Sequence, residues 1–171
     1  MKIFLIGMPG SGKSSLGKQL AESLELPFID LDDIIIKNEE LNIPEIFSKF
    51  GEDYFRIKER KALHGVNQIF QEFVMATGGG APCFFDNMAY INENGISIFI
   101  DVAPHIIAKR MTASEIEERP LFSNVKHHEL AEELDNKLKV RRAYYEQAQH
   151  TLQGNNIEVD DLLNLIKNSD I

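Results

Sequence analysis

The chain has 171 residues, with 18 lysines and arginines against 27 aspartates and glutamates, a formal net charge of −9. That length suits one domain with a sizeable core, and the surplus of negative charge repels nucleic-acid phosphates and anionic lipid, so neither is expected as a partner. A single cysteine excludes an internal disulfide, no apolar run is long enough to span a bilayer, and the run Ile3–Ile6 lies too near the start to be a signal peptide; these point to a cytoplasmic protein.

Lys2-Ile3-Phe4-Leu5-Ile6 reads as a buried strand ending at Gly7. From Ser14 to Leu24, Leu16, Leu20 and Leu24 recur every four residues, the spacing of one helical face, and Pro27 ends that pattern. Phe28-Ile29-Asp30 reads as the end of a second strand. Between Leu31 and Phe73 the pattern is helical, punctuated by Pro44 and Gly51, and Phe55, Ala62, Val66, Ile69 and Phe73 are expected to share one stripe. Val74–Thr77 is a third strand candidate running into Gly78-Gly79-Gly80, and Ser97–Asp101 a fourth. Thr112 to Lys126 is polar and weakly periodic, which suggests a lid-like connection. A charged helix is expected from about Glu129 to Gln149, a short strand at Thr151-Leu152 and a closing helix from Asp161 to Lys167. Strands alternating with helices predict an α/β protein with a parallel sheet covered on both faces.

Gly7-Met8-Pro9-Gly10-Ser11-Gly12-Lys13-Ser14 fits the phosphate-binding pattern G-x-x-x-x-G-K-[ST] in full, between a strand and a helix. Its glycines let successive N–H groups converge on phosphate oxygens, and the helix opening near Lys13 adds unpaired donors and a positive dipole end. Lys13 is expected to reach the β- and γ-phosphates and Ser14 to ligate Mg²⁺, so the residues from Gly7 to Ser14, with Ser15, are the candidate nucleotide contacts for ATP or GTP.

The second strand delivers Asp30-Leu31-Asp32-Asp33. Alternation along a strand end points Asp30 and Asp32 to one side, where one carboxylate could join the Mg²⁺ shell and the other accept a hydroxyl proton; helix capping is the competing reading. Arg56 and Glu59, three residues apart on a helix, can pair. The glycine triple permits close approach of backbone, Arg119 could deliver a cation from the lid, and Arg141 and Arg142 sit on the late helix before Tyr144-Tyr145-Glu146. Cys83 reads as a buried or half-buried small residue, consecutive His127 and His128 cannot share a helix face for zinc, and Glu132, Glu133 and Asp135 read as a solvated face.

Taken in order, GMPGSGKSS, FIDLDD, GEDYFRIKE, TGGGAP, RPL and RRAYYEQA resemble the shikimate kinase family, with motifs from Gly7 to about Ala148. The resemblance implies a three-layer α/β/α P-loop kinase fold with a five-stranded parallel sheet ordered 2-3-1-4-5. It implies one kinase domain over 1–171, with a substrate-binding helical region at about 31–60 and a lid at about 112–126. It also implies transfer of the ATP γ-phosphate, with Mg²⁺, to the 3-hydroxyl of shikimate by a monomer. Residue by residue, Asp32 corresponds to the aspartate on the acceptor hydroxyls and Asp30 to the one near Mg²⁺, with Asp101 a rival for the metal. Arg56 and Arg141 match the arginines gripping the acceptor carboxylate, and Gly79, between Gly78 and Gly80, the glycine on the ring hydroxyls. Arg119 matches the lid arginine at the phosphates, Arg110 the arginine packing on adenine, and Glu59 orients Arg56. Gln153-Gly154-Asn155-Asn156 departs from the pattern, lacking the Arg and Pro of many relatives near adenine. The competing readings are a P-loop kinase for gluconate or a nucleoside monophosphate, and a nucleotide-binding module without catalysis.

Overall fold

The computed structural model describes residues 1–112, 120, 122 and 125–168. Its sheet has five parallel strands in the order β2-β3-β1-β4-β5: β1 Lys2–Ile6, β2 Phe28–Asp30, β3 Phe73–Ala76, β4 Ile96–Asp101 and β5 His150–Gln153. Strand β1 is central, with Phe4 in register with Met75 on one side and Ser97 on the other. Ile3 to Ile6 are wholly buried, which is why β1 reads as a continuous apolar run instead of an alternating one. β3 begins one residue earlier than its apolar run predicts, because Phe73 pairs with Lys2. Thr77 lies past its end and turns both its N–H and its hydroxyl onto the Leu5 carbonyl.

Helix α1 (Lys13–Ser23) follows β1 and α2 (Leu31–Glu39) follows β2 directly. α3 (Ile43–Ile69) opens on a reciprocal cap between Asn42 and Glu45 and is kinked at Gly51, whose φ is 83°. The expected stripe holds for Phe55, Ala62 and Val66, with Leu63 beside them, and fails beyond. The helix stops at Ile69, which is 74% exposed, and Phe73 belongs to the sheet. The chain extends at Phe70, so a spacing that continues in sequence is no longer a helical face in space.

Two short helices that the periodicity did not announce complete the β3–β4 and β4–β5 connections: α4 (Asn87–Asn94) and α5 (Pro104–Arg110). α6 (Leu130–Tyr145) packs on α5, and α7 (Val159–Asn168) lies against α1. Strand β5 is an edge with alternating partial exposure, which accounts for its faint sequence signal. The carboxyl ends of β1, β2 and β3 open onto the loop Gly7–Gly12, the start of α2 and the glycine triple, where ligands bind in open parallel sheets. Most of the segment expected to form a lid, Arg119 included, lies outside the described residues.

Candidate active site

The loop from Gly7 to Gly12 needs backbone that other residues strain to adopt. Gly10 has φ 78° and Gly12, which caps α1, φ 97°. A side chain at Gly10 would also strike Ile107 of α5 at 2.8 Å, so the loop is pressed against α5. Lys13 is almost buried; its ammonium arches back to donate to the Gly7 carbonyl at 3.0 Å and the Met8 carbonyl at 2.8 Å. The Ser11 hydroxyl is buried in the same loop without a hydrogen-bond partner among the described residues.

Ser14 Oγ donates to Asp30 Oδ2 at 2.7 Å, while Asp30 Oδ1 accepts the Asp32 N–H at 3.1 Å. Asp30 therefore both caps α2 and holds the nucleotide-loop serine. Alternation does not bring Asp32 to the cleft. The cap turns the chain into a helix at Leu31, and Asp32 arrives on the first helical turn. The Ser14 and Asp30 oxygens form the hard-donor pair that Mg²⁺ takes while keeping most of its waters, so the donor chemistry here fits that ion. Asp101, the other candidate, has both its oxygens engaged by Arg142, at 3.1 and 3.2 Å.

Beside this loop lies a cavity of about 620 Å³, lined by Pro9 of the loop together with Asp32, Arg56, Glu59, Arg141 and the three glycines. Ile43, Phe47, Phe55 and Phe122 supply an apolar flank, a contribution that no motif in the sequence marked. Arg56 is only 4% exposed and held on three sides. Glu59 accepts from Nη1 at 2.8 Å, Glu52 accepts from Nε and Nη2 at 3.1 and 2.9 Å, and the Phe84 ring lies 4.2 Å from Cζ. The pair Arg56–Glu59 is thus a buried ion pair and not the surface i,i+3 pair that its spacing also allows. Burial pushes the Glu59 carboxyl up to about 7 against the opposing pull of Arg56, and its Oε1 has no hydrogen-bond partner among the described residues.

The glycine triple is required for space, not for unusual backbone angles. A Cβ at Gly78 would lie 2.6 Å from Glu59 Oε1, at Gly79 2.5 Å from Pro9 Cδ, and at Gly80 2.6 Å from both Arg56 Nη atoms. Each glycine lets the strand end pass a different neighbour, so the nucleotide loop, the acid and the arginine close on one point.

Arg141 and Arg142 part company on α6. Arg141 is 8% exposed and lines the cavity, with Nη1 unpartnered among the described residues. Arg142 turns away to Asp101. Arg110 ends α5 and donates to the Asn155 carbonyl, in the loop that departs from the family pattern. Cys83 is half-buried beside the cavity, and burial pushes its thiol up to about 11, so it is no nucleophile at neutral pH. Two contributors went unassigned from sequence: Glu52, whose signal was its i,i+4 spacing to Arg56, and Tyr145, one helical turn after Arg141.

A family model described as shikimate kinase matches residues 9–168. A shikimate kinase of Phocaeicola vulgatus is 41% identical over 157 residues, covering 92% of this chain and 89% of its own length. The crystal structure of shikimate kinase from Bacteroides thetaiotaomicron superposes with a TM-score of 0.87 at 35% identity, covering 98% of both chains. Shikimate kinase from Acinetobacter baumannii, solved in complex with shikimate, gives a TM-score of 0.89 at 31% identity, covering 99% of this chain and 94% of that one. With a family match along nearly its whole length and a relative 41% identical across 92% of it, this chain belongs to the shikimate kinase family.

Proposed function

We propose that the protein transfers the γ-phosphate of ATP to the 3-hydroxyl of shikimate, giving shikimate 3-phosphate and ADP. One observation carries this reading: two nearly buried arginines and an aspartate converge in a single cavity beside the phosphate loop, and the Nη1 of Arg141 has no hydrogen-bond partner there among the described residues. A desolvated guanidinium with an idle donor is costly until an anion satisfies it. A small acid bearing hydroxyls supplies that anion to Arg141 and Arg56 and offers its hydroxyls to Asp32 and the glycine backbone.

In this reading Asp32 accepts a hydrogen bond from the reacting hydroxyl and aligns its oxygen with the γ-phosphorus. The new O–P bond forms as the bond to the β-phosphate oxygen breaks, the hydroxyl proton passes to Asp32 and from there to solvent, and charge gathers on the departing ADP, where Lys13 and the loop N–H groups face it. Lys13 must leave the Gly7 and Met8 carbonyls to do so, an exchange of neutral acceptors for charged ones. Mg²⁺ would be held by Ser14 and, through water, Asp30, and when bound it neutralises phosphate charge. Arg119, which lies outside the described residues, is assigned to the transferring group on the family resemblance. Arg110 is assigned to the adenine, beside the 153–156 loop that it contacts. The helical region 31–60 is the acceptor side of one kinase domain, 112–126 its lid, and a cytoplasmic monomer is part of the same proposal.

The test is ADP release by a coupled assay with ATP and Mg²⁺, with and without shikimate, alongside gluconate and nucleoside monophosphates. Turnover only with shikimate is the expected result. Turnover with another acceptor, or ATP binding without transfer to any, overturns the assignment.

A further inference from the structure

Tyr145 closes α6 and is fully buried, yet it touches neither proposed substrate position. Three parts of the site meet at its hydroxyl. The hydroxyl donates to the Gly79 carbonyl at 2.5 Å, stands 3.6 Å from Met8 Sδ in the nucleotide loop, and feels the charge of Arg141 one turn earlier on the helix. Its ring packs against Phe99 of β4, centroids 5.1 Å apart. Burial raises the phenol well above its ordinary range, so it keeps the proton it donates.

Peptide geometry carries the consequence into the cavity. The neighbouring carbonyls are also taken: Gly78 accepts the Ala81 N–H at 3.0 Å and Gly80 the Cys83 N–H at 2.8 Å. A trans peptide aims each N–H opposite to the preceding carbonyl, and every described peptide is trans. With the Gly79 carbonyl turned inward to the phenol, the Gly80 N–H turns away from that phenol. Glycine at both ends leaves this peptide otherwise soft to rotation.

We propose that Tyr145 is a positioning residue for the acceptor: its hydroxyl sets the rotation of the Gly79–Gly80 peptide, and so raises acceptor affinity without touching either substrate. This rests on the function proposed above. The tests are made on the full chain. Tyr145→Phe keeps the ring and its packing and removes only the hydroxyl; the lost hydrogen bond to the Gly79 carbonyl predicts a KM for shikimate raised about five- to tenfold, with kcat and the KM for ATP within about twofold of wild type. Tyr144→Phe, the same deletion on an exposed neighbour, is expected to change neither KM. Phe99→Leu, which loosens the ring but keeps the hydroxyl, separates positioning from stability, because it lowers the melting temperature without the selective shift. Equal shifts in both KM values, a shikimate KM within twofold of wild type in Tyr145→Phe, or the same selective shift in Phe99→Leu overturns the proposal.

A second measurement needs no variant. In folded wild-type protein the short-bonded Tyr145 hydroxyl proton, identified by its contact with the Phe99 ring, is expected as a slowly exchanging downfield NMR resonance that moves on adding shikimate. A resonance indifferent to shikimate refutes the coupling. If wild-type enzyme does not turn over shikimate at all, the functional reading has failed instead, so the two failures are distinguishable.

Discussion

Replacing Glu59 by glutamine tests the electrostatics of the cavity most directly. The side chain is 1% exposed, donates nothing in its ionised form, and accepts from Arg56 at 2.8 Å with one oxygen while the other has no hydrogen-bond partner among the described residues. Burial lifts its carboxyl from 4.5 to about 7. A carboxyl whose folded value exceeds its unfolded one binds a proton more tightly in the native state. The stability this confers is therefore complete below about pH 4.5 and is lost as pH rises through 7. Integrating that difference between about pH 5.5 and about pH 8, wild type loses on the order of 2 kcal/mol through this one group. Glu59→Gln keeps the shape and an acceptor for Arg56 but cannot titrate. Urea unfolding of both proteins at the two pH values gives the double difference, from which the constant cost of the altered Arg56 contact cancels. The variant should gain on wild type by about 2 kcal/mol towards the alkaline end. A double difference below about 0.5 kcal/mol would mean that Glu59 is ionised throughout, and the argument that burial outweighs Arg56 would be wrong.

Other substitutions separate the roles proposed for the site. Asp32→Asn should depress kcat with little change in the KM for shikimate, measured by the coupled assay, since it keeps the shape and removes the acceptor charge. Arg56→Ala or Arg141→Ala should raise the KM for shikimate by roughly 10- to 100-fold, the worth of a hydrogen bond between charged groups, while the KM for ATP stays near wild type. Gly79→Ala places a methyl 2.5 Å from Pro9 Cδ and 2.9 Å from Pro9 N. A proline ring and backbone cannot swing aside, so the melting temperature should fall, by the equivalent of about 1–3 kcal/mol, and both KM values should rise.

Much of this protein is written locally. The phosphate loop is legible because it needs only its own residues: glycines that take φ near 78° and 97°, a lysine long enough to fold over the loop, and a helix starting where the motif ends. The central strand is legible because burial on both faces demands an unbroken apolar run. α4 and α5 were not, being eight and seven residues long. Helices that short draw their stability from packing and not from propensity, and so leave little periodicity.

The sequence by itself settled the nucleotide cradle and the alternation of strands and helices, and allowed the pairing of Arg56 with Glu59, since each depends on contacts within a few residues along the chain. Only the tertiary structure decided which of two adjacent arginines faces the cavity. Residues next to one another on a helix diverge by about 100°, and the choice between them is made by Asp101 on a distant strand. It also decided that the glycine triple exists to let Glu59, Pro9 and Arg56 converge, and that Tyr145 reaches back across 66 residues to the Gly79 carbonyl. Spacing along a chain sets which neighbours share an element; the packing of one element on another sets what their side chains meet.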